Sequence, residues 1–157
     1  MLFAPYHGVV RLILRRAFAD ISRGHGERAA AQFSGRAVFR FYGEHAMGGE
    51  LRGRETIAAW FARLHHLFPD LRLTPLQIVV NGPPWNTTVA TRFGVEASLR
   101  DGTPYRNEGM QYVRIAWGRI LEDRLYEDTG ALQEALRALA AAGVAEARAP
   151  ALGASPT

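Results

Sequence analysis

The stretch WGRILEDRLYEDTG, residues 117–130, carries Glu122, Asp123, Glu127 and Asp128 within seven positions. Carboxylates this dense do one of two kinds of work. Facing a cavity, one of them loses its hydration, its pKa rises, and it becomes a general acid or base near neutral pH. Facing water, it pairs with arginine and does no chemistry. If the stretch is a strand, alternation separates the acids. Leu121, Asp123, Leu125 and Glu127 then share one face, and Ile120, Glu122, Arg124 and Tyr126 the other. Asp123, flanked by leucines, is the acid that reads as buried. Its competing readings are a structural ion pair with an arginine and a bulge that reverses the faces. Glu127 is inward by parity but close to the strand's end, and Asp128 with Thr129 reads as the start of a final helix.

The same parity applies to the stretches before it. In 104–116 the odd positions hold Tyr105, Asn107, Gln111, Val113 and Ile115, the face poorer in charge, so Asn107 and Gln111 become inward amides and Glu108 points outward. In 87–99 the odd face is apolar (Val89, Phe93, Val95, Ala97) and the even face polar (Thr88, Arg92, Glu96, Ser98), which by alternation puts Arg92 outside. His45 could move a proton near neutral pH if it reached a pocket, against the plainer reading of a loop histidine. His65 and His66 are helix neighbours diverging by roughly 100° and cannot chelate one metal together. No metal site is expected.

Absences narrow the chemistry further. All 19 basic residues are arginine, and there is no lysine and no cysteine, so Schiff-base, thiolate and disulfide chemistry are excluded. There is no G-x-S-x-G nucleophile elbow, and the glycines of HAMGGELRGR fit no phosphate or dinucleotide loop. No cofactor is expected. The net charge of +4 is spread among acids, which reads as a solvated surface and not a nucleic-acid footprint. The opening MLFAPYHGVVRLILRR has its charges after the apolar run, as a first helix does and a signal peptide does not. No stretch reaches the length of a membrane span, and a cytoplasmic protein is expected.

These residues need elements to position them. Periodicity predicts helices over 9–22, in ERAAAQF, over 55–68 with Ile57, Trp60, Phe61, Leu64 and Leu67 on one stripe, and in ALQEALRALAAAG. It predicts a strand in RAVFRFYGEH and four more at about 71–80, 87–99, 104–116 and 119–127, in antiparallel meander. AMGGELRG reads as a connection. Helices grouped before a run of strands imply one α+β domain, its sheet curled over the helices. It spans residues 1–147, and 148–157 is expected to be a flexible tail.

This order, with LRGRETIAAWFARL, DGTPYRNEG and WGRILEDRLYED, resembles the NTF2-like superfamily and within it the SnoaL-like branch, which includes polyketide cyclases and ketosteroid isomerase-like proteins. The likeness spans roughly residues 9–130. It implies an α+β cone: a curved, mostly antiparallel sheet wrapped around three N-terminal helices, with a C-terminal helix and an apolar pocket in its mouth. It implies Trp60, Phe61, Leu64 and Leu125 as pocket lining, Tyr42 at the mouth, a small apolar molecule as partner, and homodimers packed through the outer sheet face. The epoxide-hydrolase pattern within the superfamily places Arg92 inside the cone, against alternation. An outer face packed in a dimer would itself be apolar, so the inward placement is the one expected, with Asp123 or Glu96 as the carboxylate partner it would need. The pattern's aspartates, however, fall where Gly94 and Leu125 stand. The ketosteroid-isomerase pattern would need an aspartate near Phe41 or Glu44, a tyrosine near Ala17 or Phe18, and an acid near Gln111. Neither is matched.

Two readings of function follow. One is a cofactor-independent cyclase or isomerase, with Asp123 as acid/base, Asn107, Gln111 and His45 or Tyr42 polarising a carbonyl, and an inward Arg92 joining this set. The other is a non-catalytic ligand-binding or dimerisation module.

Overall fold

Alternating apolar residues from Thr87 to Glu127 have one way to bury a shared face, which is to pair in sequence order and pack that face on the helices. The computed structural model, which describes residues 2–153, shows this. Helices α1 (Ala4–Ser22), α2 (Gly26–Ala30) and α3 (Arg54–Leu67) precede most of the sheet. Its strands are β1 (Phe33–Phe41), β2 (Gly49–Arg52), β3 (Arg72–Asn81), β4 (Thr87–Ser98), β5 (Pro104–Ala116) and β6 (Arg119–Glu127), and α4 (Thr129–Ala141) follows. The order across the curved, open sheet is β2-β1-β6-β5-β4-β3, antiparallel except where β1 runs parallel to β6. This is the α+β, NTF2-like cone.

Three boundaries differ from expectation. AMGGELRG is not only a connection: Gly49–Arg52 pairs with β1 as a short edge strand, too brief to show alternation. Helix α1 starts at Ala4, because Pro5 sits in the first turn, where its missing N–H is not needed. Residues 145–148 form a single 3₁₀ turn, and from there the chain packs back on the domain: the Pro150 carbonyl accepts from Arg63 Nη1 at 2.8 Å, and Gly153 lies against the backbone of Gly49 and Glu50. Of the stretch expected to be a flexible tail, residues 148–153 are therefore seated, and 154–157 lie outside the described residues.

The larger core cluster joins α2, α3 and α4 to the inner face of the sheet through Phe39, Trp60, Phe61, Leu67, Phe93 and Leu136. A smaller one pins α1 to β3–β5 through Val10, Leu14, Ile78, Val89 and Val113. The free side of β3 is covered by α1: Ser22 Oγ accepts from Leu73 N–H at 2.9 Å, and Arg11 reaches the Ile78 carbonyl.

One cross-strand pair shapes the interior. Phe93 on β4 faces Gly109 on β5 and lies over it, so that a Cβ at 109 would stand 2.3 Å from Phe93 Cζ. The ring takes the space a side chain would fill. Gly109→Ala should therefore destabilise the protein by about 1–3 kcal/mol, read as a lower urea midpoint with unchanged m value.

Candidate active site

Asp123 stands in the middle of β6, opposite Val113 on β5 and beside Phe39 on β1. Both neighbours are apolar, and Asp123 is only 2 % exposed. Its parity holds: the face carrying Asp123, Leu125 and Glu127 looks inward. A register shift between Arg114 and Ile115 moves the faces lower down, however, so that Ile120 and not Leu121 lines the interior. The side chain is held by a diagonal neighbour. Gln111 pairs with Leu125, and its Nε2 donates to Asp123 Oδ2 at 2.8 Å. Among the described residues no arginine reaches Asp123, and its other oxygen, Gln111 Oε1 and Thr91 Oγ1 are buried without a hydrogen-bond partner. Thr91 faces Gln111 across β4–β5, extending the polar row over three strands.

Burial pushes the Asp123 carboxyl up to about 7, while the Gln111 bond opposes the shift. A second acid behaves alike. Glu127, four residues on along the same face, is pushed up to about 7 by loss of hydration. Its nearest polar contact is Asn107 Nδ2 at 3.5 Å, and Gly109 opposite it contributes no side chain. Asn107 also donates to the Tyr105 hydroxyl at 2.8 Å and to the Asp128 carbonyl at 3.0 Å, which fixes the start of α4, where Asp128 caps Ala131 N–H. Burial holds the Tyr105 phenol well above its ordinary value.

These groups surround one cavity of about 80 Å³, room for a few waters or one small organic molecule. Trp60, Phe61, Leu64, Leu125, Gln111, Asp123 and Glu127 all line it. Asn107 does not; it stands behind Tyr105 and Glu127 at the rim. Three expected site residues lie elsewhere. Arg92 is on the outer face, bonded to Glu108 at 2.9 Å, so alternation was the correct guide and the family overlay was not. A guanidinium inside would have needed a carboxylate at the cost of desolvating both. His45 and Tyr42 line a separate groove of about 1160 Å³ between the end of β1, α4 and the C-terminal segment. The chain turns there after Phe41, carrying His45 away from the cone. Its Nδ1 accepts from Met47 N–H at 3.2 Å, and burial lowers its pKa. Tyr42 stacks on Tyr126 at 4.4 Å and accepts from Arg124 at 2.8 Å. Glu122 is on the outer face as parity requires, between Arg114 and Arg124. Glu127 is the site residue sequence reading passed over; its parity was the available signal. Among the described residues no group of His, Asp or Glu is placed to hold a metal ion, and no helix is long and apolar enough to cross a membrane.

The model of the SnoaL-like domain matches residues 14–123, more than half of the chain. The chain belongs to the SnoaL-like domain family. Among solved structures it is similar to PrhC from Penicillium brasilianum, with a TM-score of 0.73 at 17 % identity, covering 87 % of this chain and 91 % of that one. It is similar also to a Bacillus subtilis protein provisionally titled an isomerase, with a TM-score of 0.67 at 21 % identity over 80 % and 90 % of the two chains. A third is a Jannaschia protein provisionally titled a SnoaL-like polyketide cyclase, with a TM-score of 0.65 at 18 % identity over 80 % and 89 %. At these identities the likeness is one of fold. No curated protein matches the sequence.

A carboxyl whose pKa rises on folding binds its proton more tightly in the native state, so stability is fullest below the unfolded value and falls as pH climbs toward the folded one. For Asp123 that window runs from 3.8 to about 7. Asp123→Asn, which mimics the neutral acid, should match the wild type near the bottom of this window and exceed it at about pH 8, by up to an order of 4 kcal/mol. Urea unfolding at both pH values measures the difference.

Proposed function

We propose that this SnoaL-like protein is a cofactor-independent acid/base catalyst that moves a proton on a small carbonyl compound held in the cone, the first step of an isomerisation or cyclisation. The observation that carries this reading is Asp123: a buried carboxyl lining the cavity, with no cationic partner among the described residues, one oxygen held by Gln111 and the other without a hydrogen-bond partner. With its pKa at about 7, both the proton-accepting and the proton-donating forms are present near neutrality, which suits a group that must take a proton and return it. In the protonated state the Gln111 bond occupies Oδ2, so the proton sits on Oδ1 and is available to a substrate oxygen. The cavity's size limits the substrate to a few heavy atoms unless the aromatic walls move.

The reading is tested by following solvent deuterium into the α carbon of small ketones such as 2-butanone by NMR. Exchange should rise with pH through about 7 as Asp123 ionises, and fall by roughly 10²–10⁴ in Asp123→Asn. Equal exchange in the variant would rule Asp123 out as the base. One observation favours a second reading, a pocket that binds without catalysis: of the two Gln111 amide N–H groups that could polarise a carbonyl, one is already given to Asp123. Ketone binding without exchange would select it.

We also propose a homodimer through the outer sheet face, supported by Met110, Tyr112 and Tyr126, which stand exposed there among the Arg–Glu pairs. Sedimentation velocity should show a dimer that weakens when Tyr112→Glu is introduced.

A further inference from the structure

The cavity's chemistry is lopsided. Two carboxyl groups line it, Asp123 and Glu127, yet among the described residues no arginine or histidine side chain does. The rest of the wall is aromatic to an unusual degree: seven phenylalanines, Trp60 and Tyr105. Aromatic faces carry negative charge density and attract cations, most strongly where water is excluded. Of the buried hydrogen-bonding atoms without partners, the two on residues that line the cavity, Asp123 Oδ1 and Gln111 Oε1, are acceptors when the acid is ionised; Thr91, whose hydroxyl is also without a partner, is not among the lining residues. Of the donors at the wall, one N–H of Gln111 Nε2 and the Trp60 Nε1–H are given to Asp123 and to the Met47 carbonyl. What this interior lacks is a positive charge that donates hydrogen bonds.

We propose that the cavity binds a small aliphatic ammonium group, its N–H bonds directed at Asp123 and Gln111 or at Glu127 and its alkyl part against the aromatic walls. Glu127 and Asp123 are two strand repeats apart, roughly 13 Å between Cα atoms on a straight strand. One charge therefore sits on one acid at a time, leaving the other free to exchange protons. The half-exposed position of Glu127 beside Asn107 makes it the acid nearer solvent and the better counter-ion for an entering cation. The inference rests on the reading that the cavity takes a ligand, but it does not rest on proton transfer, and it names the ligand class: an amine, free or carried by a carbonyl substrate.

Binding requires one acid to ionise and its proton to leave for solvent, so affinity should rise with pH. The groups facing the two acids are few. Tyr105 on β5 stays protonated, Asn107 and Gln111 are neutral, Asp128 is an additional negative charge at the rim, and α1, α2, α3 and α4 send no ionisable side chain to the wall.

The probe is tert-butylammonium chloride, compared by calorimetry with tert-butanol, which has nearly the same shape and no charge. The ammonium ion should bind about tenfold or more tightly than the alcohol at about pH 8, and lose about tenfold on going to about pH 6. At about pH 6, where the acids hold their protons, binding should release one, seen as a buffer-dependent heat. Glu127→Gln and Asp123→Asn are isosteric with the neutral acids and should keep the fold, checked by their unfolding midpoints. At least one should weaken the ammonium ion about tenfold and leave the alcohol unchanged. Equal affinity for ion and alcohol, no measurable ion binding, or ion binding untouched by both substitutions would each overturn the proposal. Since tert-butylammonium cannot react, these outcomes are separate from ketone exchange at Asp123.

Discussion

The burial of Asp123 is the constraint around which the interior is organised. A carboxyl in an apolar core is tolerated only if it stays neutral or finds compensation. Here a single amide supplies part of that, from Gln111 at the diagonal position on β5. A guanidinium in the same place would fix the acid in its charged form. The sheet sorts its charges accordingly. Acids without bases lie on the inner face, and the arginines of the outer face pair with Glu108, Glu96 and Glu122. The absence of lysine sharpens the sorting. An arginine keeps its charge under almost any conditions, whereas a lysine could enter such a cavity as a neutral amine.

Most of this was legible in the sequence, because strand parity is a local property that tertiary packing only confirms. Asp123 and Gln111 on the inside, Glu108 and Glu122 on the outside, and the limits of β3 to β6 all follow from it. Parity failed where the ladder has a fault: the shift between Arg114 and Ile115 exchanged Ile120 for Leu121. Arg92 shows the reverse case. Its own strand placed it correctly, and the likeness to relatives argued it inward.

The loop residues were out of reach for a different reason. The destination of His45 and Tyr42 depends on how the chain turns between Phe41 and Gly49, where Gly43 has φ of 122°. No periodicity governs that turn, and proximity to a strand end in sequence did not mean proximity to the cone. Strand β2 was hidden likewise, since four residues with two fully polar side chains carry no alternation to read. The sites that mattered lay on regular elements, and the errors collected in the irregular ones.

The two outermost strands carry a consequence for how copies of this chain can meet. A free strand edge invites another strand to add to it. Here one edge, β3, has α1 donating and accepting along it and a kink at Pro75, where its pairing with β4 slips by a residue. At the other, Gly153 rests so closely on Glu50 that a side chain there would collide with the backbone of β2. Lateral growth of the sheet into a continuous ribbon is thereby obstructed at both ends.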